Sequence, residues 1–260
     1  MADVPGAVQD PSRIIAEDIQ LRRGVDAIPA YLARPRDARN LPGIVVIHEA
    51  AGLVEHIRDL ARRFANLGYT AIAPDLYSRA GAPDPSNMPS MITAMLALPD
   101  AQAIGDLTAA ADHVRGLPSA NGRVACIGFC SGGRQSLLLA CSGANLNAAV
   151  DCWGGFVSSA SPDAETTPNR PDKPLDRLGR LSCPLFAVFG AEDENPSPRD
   201  AEVMGKRLKA AAKPHRIKVF PAAGHAFLAD YRPTYRPGPA AELWSDLTAF
   251  FAEHLKPGVA

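Results

Sequence analysis

Gly128-Phe129-Cys130-Ser131-Gly132-Gly133 follows directly on the apolar run Val124-Ala125-Cys126-Ile127. A short apolar run, then Gly-x-Cys-x-Gly, is the layout of a nucleophile elbow, in which a strand bends sharply into a helix and pushes the central residue outward. Side chains two positions either side of that residue would collide where strand and helix cross, so glycine is required there. The exposed position holds cysteine, and the chemistry it points to is acyl transfer through a thioester.

A cysteine nucleophile needs a base, and the base needs a carboxylate to orient it. On an elbow of this kind the partners come later in the chain, acid first and histidine last. Two loops supply them. Leu185–Phe189 is followed by Gly190-Ala191-Glu192-Asp193-Glu194-Asn195, and Ile217–Phe220 by Pro221-Ala222-Ala223-Gly224-His225-Ala226-Phe227. Asp193 and His225 are the preferred pair, with Glu192 and Glu194 as competing carboxylates. His225 takes the thiol proton and later activates water, while Asp193 fixes its tautomer.

Glu49 ends another apolar run, Ile44–His48, and is followed by Ala50-Ala51-Gly52-Leu53. Backbone N–H groups of Ala50 and Ser131 are the expected oxyanion hole, the latter aided by the start of its helix. A carboxylate beside a thiolate is repulsive, so Glu49 either takes up the proton or holds the thiol neutral. The alternative is that Glu49 pairs with an arginine for structural reasons.

These residues need a scaffold that sets strand ends side by side. Ile14 to Ala33 reads as a hairpin around Arg22-Arg23-Gly24. Strands are expected over Leu41–His48, Tyr69–Ala73, Val124–Gly128, Ala148–Cys152, Leu185–Phe189 and Ile217–Phe220. Helices are expected over Glu55–Leu67, Ser90–Leu117 with a break near Pro99, Gly132–Ser142, Arg199–Ala212 and Ala240–Leu255. The alternation argues for an α/β fold with a mostly parallel central sheet, an antiparallel N-terminal hairpin and helices on both faces. The whole of 1–260 is read as a single domain, with a loose leader over 1–13 and an excursion loop over 158–174 that holds four prolines.

Composition narrows the class further. At 260 residues the chain can bury a core without disulfides or metals. A net charge of -1 with scattered basic residues gives no footprint for nucleic acid, and no apolar run is long enough for a membrane span. The acidic start, Asp3 to Asp18, lacks the apolar core of a secretory signal. Five cysteines, four of which (Cys126, Cys130, Cys141 and Cys152) fall in one central stretch, fit a reducing cytoplasm. His56, His113, His215 and His254 make no metal-ligand spacing with the cysteines, and Cys126 with Cys130 resembles neither a zinc knuckle nor a redox pair. No metal and no organic cofactor is expected, there being no Rossmann glycine fingerprint and no P-loop.

Taken together, Ile47-His48-Glu49-Ala50-Ala51-Gly52, Ala73-Pro74-Asp75-Leu76-Tyr77, Gly128 to Gly133, Gly190 to Asp193 and Gly224-His225-Ala226-Phe227 resemble the dienelactone hydrolase (carboxymethylenebutenolidase) family of α/β-hydrolases. The resemblance implies a single-domain α/β-hydrolase fold and a cysteine hydrolase opening small enol-lactones or activated esters, with Cys130, Asp193 and His225 as triad. It implies that Glu49 meets the thiol in the resting enzyme and helps generate thiolate when substrate displaces it. Family arginines hold a substrate carboxylate, and Arg79 matches one of them. The second is absent, since position 229 is alanine. Arg232 and Arg236 are the candidates to replace it, and Tyr77 and Phe129 lie within the matching motifs as further substrate-binding candidates. The expected partner is a small molecule, carboxylate-bearing in the family, with the protein a monomer or small homo-oligomer. Two other readings are an esterase of the same fold acting on a different small ester, and a non-catalytic binding protein.

Overall fold

The structure, a computed structural model, describes residues 4–256. The first three residues of the expected leader lie outside that range; Pro11–Arg13 forms a single 3-10 turn whose cap, Asp10, accepts from the Ser12 N–H at 3.0 Å.

Strands β1 (Ile14–Arg23) and β2 (Asp26–Pro35) form the antiparallel hairpin. Then follow β3 (Leu41–Ile47), α1 (Glu55–Asn66), β4 (Thr70–Pro74), α2 (Met88–Ala97), α3 (Asp100–Arg115), β5 (Ala120–Phe129), α4 (Ser131–Ala140) and β6 (Ala148–Cys152). A short α5 (Pro174–Arg177) runs into a 3-10 turn that the sequence pattern does not signal. After it come β7 (Leu185–Gly190), α6 (Pro198–Ala210), β8 (His215–Phe220) and α7 (Pro237–Leu255). The eight strands are ordered β1-β2-β4-β3-β5-β6-β7-β8, and every pair from β4 to β8 is parallel. This is the α/β-hydrolase arrangement, in one domain.

The reason these runs become strands is visible in their burial. Every residue of β3, β4, β6 and β7 is buried, as a parallel sheet covered on both faces demands. The edge strand β8 instead carries His215, Arg216 and Lys218, charges that discourage pairing with another chain. On one face Ile57, Leu60, Ala61 and Phe64 of α1 pack with Leu243, Leu247 and Phe251 of α7. On the other, Leu107 and Val114 of α3, Leu137 and Leu139 of α4 and Met204 of α6 form the second core. Proline at 99 separates α2 from α3, as the sequence predicts. Among the described residues no helix is long and apolar enough to cross a membrane.

The consequence for function is positional. Glu49, Cys130, Asp193 and His225 each stand just beyond the carboxyl end of a parallel strand, β3, β5, β7 and β8 respectively, which is where open α/β sheets hold their sites.

Candidate active site

Cys130 has φ 54° and ψ -119° as the residue capping α4. A non-glycine residue in that region costs on the order of 1–3 kcal/mol, and the surroundings must hold it there. They do so by close backbone packing. The Cys130 N–H donates to Cys152 O at 3.0 Å, and a Cβ on Gly128 would overlap the carbonyl of Gly132. A Cβ on Gly132 would in turn overlap the carbonyls of Ile47 and His48 at the end of β3. The elbow thus sits against the Glu49 loop with no room for a side chain between them.

His225 and Asp193 are brought together: Nδ1 of the ring is 2.8 Å from Oδ2 of the carboxylate. The other carboxylate oxygen accepts the Asn195 N–H at 3.0 Å, so Asp193 is held from both sides. Asp193, the acid bonded to His225, is buried, whereas Glu192 and Glu194 are exposed. Burial works against a charged imidazole, but hydrogen bonds to Asp193 and Cys130, and the negative charge they bring, outweigh it and push His225 up to about 10. With Nδ1 turned to Asp193, the second ring nitrogen is left for Cys130.

Ser131 opens α4, so its N–H is among those a helix leaves without an intrahelical acceptor. Ala50 lies in a tight turn closed by the Gly52 N–H donating to Glu49 O at 3.0 Å. His48, which the motif contains but to which sequence reasoning gives no task, fixes this turn. A carbonyl only accepts and an amide N–H only donates, so His48 is neutral with its proton on Nδ1, given to Glu49 O at 2.8 Å. Its Nε2 accepts from the Leu76 N–H at 3.1 Å, and burial lowers its pKa. The loops after β3 and β4 are thereby tied to each other.

Glu49 is buried, and its carboxylate Oε1 accepts from the Tyr231 hydroxyl at 2.6 Å and from Arg232 Nη2 at 2.5 Å. Its recorded bonds go to these two groups and not to the thiol, which is the arginine-paired alternative raised by the sequence. Asp230, next to them, accepts from buried Arg63 of α1 at 2.9 Å, and the His56 ring packs at a tilt against Tyr231 with centroids 5.0 Å apart. Burial lowers the pKa of His56. His56, Asp230, Tyr231 and Arg232 line a hollow of about 740 Å3 together with Met88 and Met91 of α2.

The remaining expected substrate contacts fall elsewhere. Arg79 spends its guanidinium on Asp106, at 2.6 Å and 3.1 Å, and on Asp26, at 2.7 Å and 3.0 Å, bracing α3 against β2. Arg236 donates to the carbonyls of Pro233 and Tyr235 in its own loop. Phe129 is buried in the core beside Trp153. Tyr77 does reach the site: its ring lies over Gly52 and 4.8 Å from His48. Burial raises its pKa.

All five cysteines are free thiols. Burial pushes Cys126 up to about 12 and Cys141 up to about 11, and raises Cys152 and Cys183 likewise. Cys130 is the half-exposed one.

Comparison with known proteins gives the family. The model of the dienelactone hydrolase family matches residues 28–255. A candidate carboxymethylenebutenolidase of Salmonella typhimurium is 39% identical over 236 residues, 88% of this chain and 84% of that one. One from Escherichia coli K12 is 37% identical over 255 residues, 95% and 90% of the two chains. Among solved structures, a candidate dienelactone hydrolase of Klebsiella pneumoniae superposes with a TM-score of 0.85 at 38% identity, covering 92% of this chain and 99% of its own. The dienelactone hydrolase-like promiscuous phosphotriesterase P91, from metagenomic libraries, gives 0.77 at 25% identity, covering 94% and 99%.

Proposed function

The chain belongs to the dienelactone hydrolase family and is a carboxylic ester or lactone hydrolase, and on that premise we propose that it works through Cys130 and a thioester acyl-enzyme. The observation that carries the proposal is the His225 ring, held by buried Asp193 on Nδ1, beyond the end of β8 and across the strand ends from the Cys130 elbow.

In the proposed cycle Cys130 reacts as thiolate with its proton passed to His225, whose pKa Asp193 and Cys130 raise against the effect of burial. Cys130 Sγ attacks the acyl carbon, and the carbonyl π pair moves to an oxyanion accepted by the Ser131 and Ala50 N–H groups. Collapse breaks the bond to the leaving oxygen, and the His225 proton goes to that oxygen as it departs, or to the enolate or solvent once it has left, so that His225 is neutral. Neutral His225 then removes a proton from water, hydroxide attacks the thioester, and thiolate is expelled with the imidazolium restored. An enolate is a weaker base than an alkoxide and leaves more readily. A thiolate nucleophile therefore suits enol-lactones and activated esters, and no cofactor enters the cycle. A reducing cytoplasm, proposed from the five free thiols, would keep Cys130 active.

The test is intact-mass analysis during turnover of an activated ester or enol-lactone. An acyl adduct is expected on Cys130, and Cys130→Ala is expected to form none and to be inactive. Undiminished turnover by Cys130→Ala overturns the proposal.

One observation favours a second substrate reading, an esterase for small neutral esters. Arg79 is engaged with Asp106 and Asp26, and Arg232 with Glu49. Neither is free to meet a substrate carboxylate. A matched pair of aryl esters with and without a carboxylate separates the two, acidic preference supporting the lactone.

A further inference from the structure

The hollow of about 740 Å3 beside α1 and α2 is larger than a small lactone needs. It is roughly five times the ~150 Å3 cavity that encloses a single benzene ring. It adjoins the reacting groups by chain and by bond. Ala51, which lines it, follows the oxyanion candidate Ala50, and Tyr231 and Arg232, which also line it, both donate to the Glu49 carboxylate. The end of β3 that leads into this loop lies against Gly132, two residues beyond Cys130, with no room for a side chain.

The lining says which part of an ester would fit. Met88 and Met91 of α2, with Val54 and Pro85, supply apolar surface. Met88 is 56% exposed and Tyr231 54%, so large side chains with apolar bodies are left facing water at the hollow. The unbranched thioether of methionine adapts to varied apolar shapes.

The charged groups of the lining are already engaged. Arg62 donates to Glu55 at 2.5 Å, to Asp59 at 3.3 Å and to the Tyr31 hydroxyl at 3.1 Å. Arg232 donates to Glu49, while Asp230 accepts from Arg63 and faces His56 at 3.4 Å. Among the described residues the lining sets three carboxylates, Glu55, Asp59 and Asp230, against two guanidiniums, Arg62 and Arg232. A substrate carboxylate would find both guanidiniums occupied and would be repelled by the acids, whereas a neutral apolar group leaves every pair intact.

Helix α2 is tied at both ends. Asn87 caps its first turn, accepting the Ser90 N–H at 3.1 Å. At the other end buried Arg170 of the excursion loop donates to Met95 O and, at 3.0 Å, to Ala160 O, and Asn169 Nδ2 donates to Ala97 O at 3.0 Å. The excursion loop therefore braces the helix that carries the two methionines.

We propose that this hollow is a subsite for the neutral apolar part of the ester, so that favoured substrates carry an extended alkyl or aryl group and no second carboxylate. The inference rests on the ester-hydrolase reading given above and deepens its neutral-ester form.

The test is steady-state kinetics of the full chain on two series of esters. One runs from p-nitrophenyl acetate to the decanoate, the other through the acetates of phenol, naphthol and hydroxypyrene, which separates an apolar acyl group from an apolar alcohol. In one series kcat/KM is expected to climb, chiefly through KM, by up to about fourfold per methylene or about tenfold per fused ring until the hollow is filled. Met88→Glu sets a carboxylate in the hollow at a first-turn position that suits an acid, and is expected to cut the ratio of longest to shortest ester about tenfold. Met88→Trp fills the space and is expected to cut the same ratio, which keeps the inference open to refutation should the glutamate variant misfold. Val25→Glu, at the fully exposed β1–β2 turn, is expected to keep the wild-type ratio. Replacing the terminal methyl of the pentanoyl ester by a carboxylate is expected to lower kcat/KM. A flat profile in both series overturns the inference, as does a rise that both Met88 variants leave intact, an equal fall in Val25→Glu, or a preference for the carboxylated ester. Turnover of neither series by the wild type overturns the neutral-ester reading and this inference together. Wild-type turnover with a flat profile, abolished in Cys130→Ala, overturns this inference alone.

Discussion

Arg232 Nη2 meets Glu49 Oε1 at 2.5 Å across 183 positions of sequence, and the same oxygen takes the Tyr231 hydroxyl. The carboxylate is buried, so removing the arginine leaves it without its charge partner. Arg232→Gln is expected to cost about 1–3 kcal/mol of stability and to lower kcat/KM. Glu49→Gln in the same chain should recover part of the stability. A denaturant-melt double-mutant cycle checks this, and additive losses would show the pair is uncoupled.

Arg79 gives the opposite expectation. Its partners are Asp26 and fully buried Asp106, so Arg79→Met should lower the melting temperature with KM for any accepted ester changed less than about twofold. A rise in KM of tenfold or more, measured by steady-state kinetics, would place it in substrate binding after all.

His225 makes its contribution to stability depend on pH in a defined sense. Its folded pKa, about 10, is above the ordinary 6.5, so the contribution is present in full below about pH 6.5 and is lost as pH rises through about 10. Wild-type melting temperature should fall across that window, and His225→Gln should flatten the fall. Cys130→Ala, which removes one of the groups holding the proton, should flatten it in part.

Asp193→Asn keeps the shape of the loop but no longer holds the imidazolium, and kcat should drop on the order of 10^4-fold by analogy with triad acids elsewhere. Glu192→Gln and Glu194→Gln, both exposed, should leave kcat within about twofold. Steady-state kinetics on all three decides, and a large effect at Glu192 alone would reassign the acid.

Thiol selectivity follows from burial. Brief iodoacetamide treatment should label Cys130 before Cys126, Cys141, Cys152 and Cys183, whose thiols burial pushes up. Tryptic mass mapping over a time course checks the order.

Much of this was legible in the sequence because it is written locally. Apolar runs mark the buried strands, the glycines at 128 and 132 mark a backbone crossing, and the order Cys130, Asp193, His225 follows from successive strand ends. The arginines were not legible. Arg79 sits four residues past Asp75 in a matching motif, yet its fate is decided by Asp106 and Asp26, 27 and 53 positions away. Arg170 carries no signal at all, since a polar residue in a proline-rich loop reads as surface. Only the docking of that loop on Ala97 and Asp100 buries it. Charge pairing is a long-range property, whereas strand, turn and elbow are short-range ones.

The backbone contact between Gly132 and the carbonyls of Ile47 and His48 has a consequence for redesign. The Cys130 elbow and the loop after β3 are joined without a side chain between them, so no substitution at Gly132 can adjust their spacing by degrees. A library meant to change what the enzyme accepts gains nothing at the elbow and should be spent on the α2 methionines and the segments 158–174 and 230–236. Those parts can diversify while the reacting atoms stay where the sheet puts them.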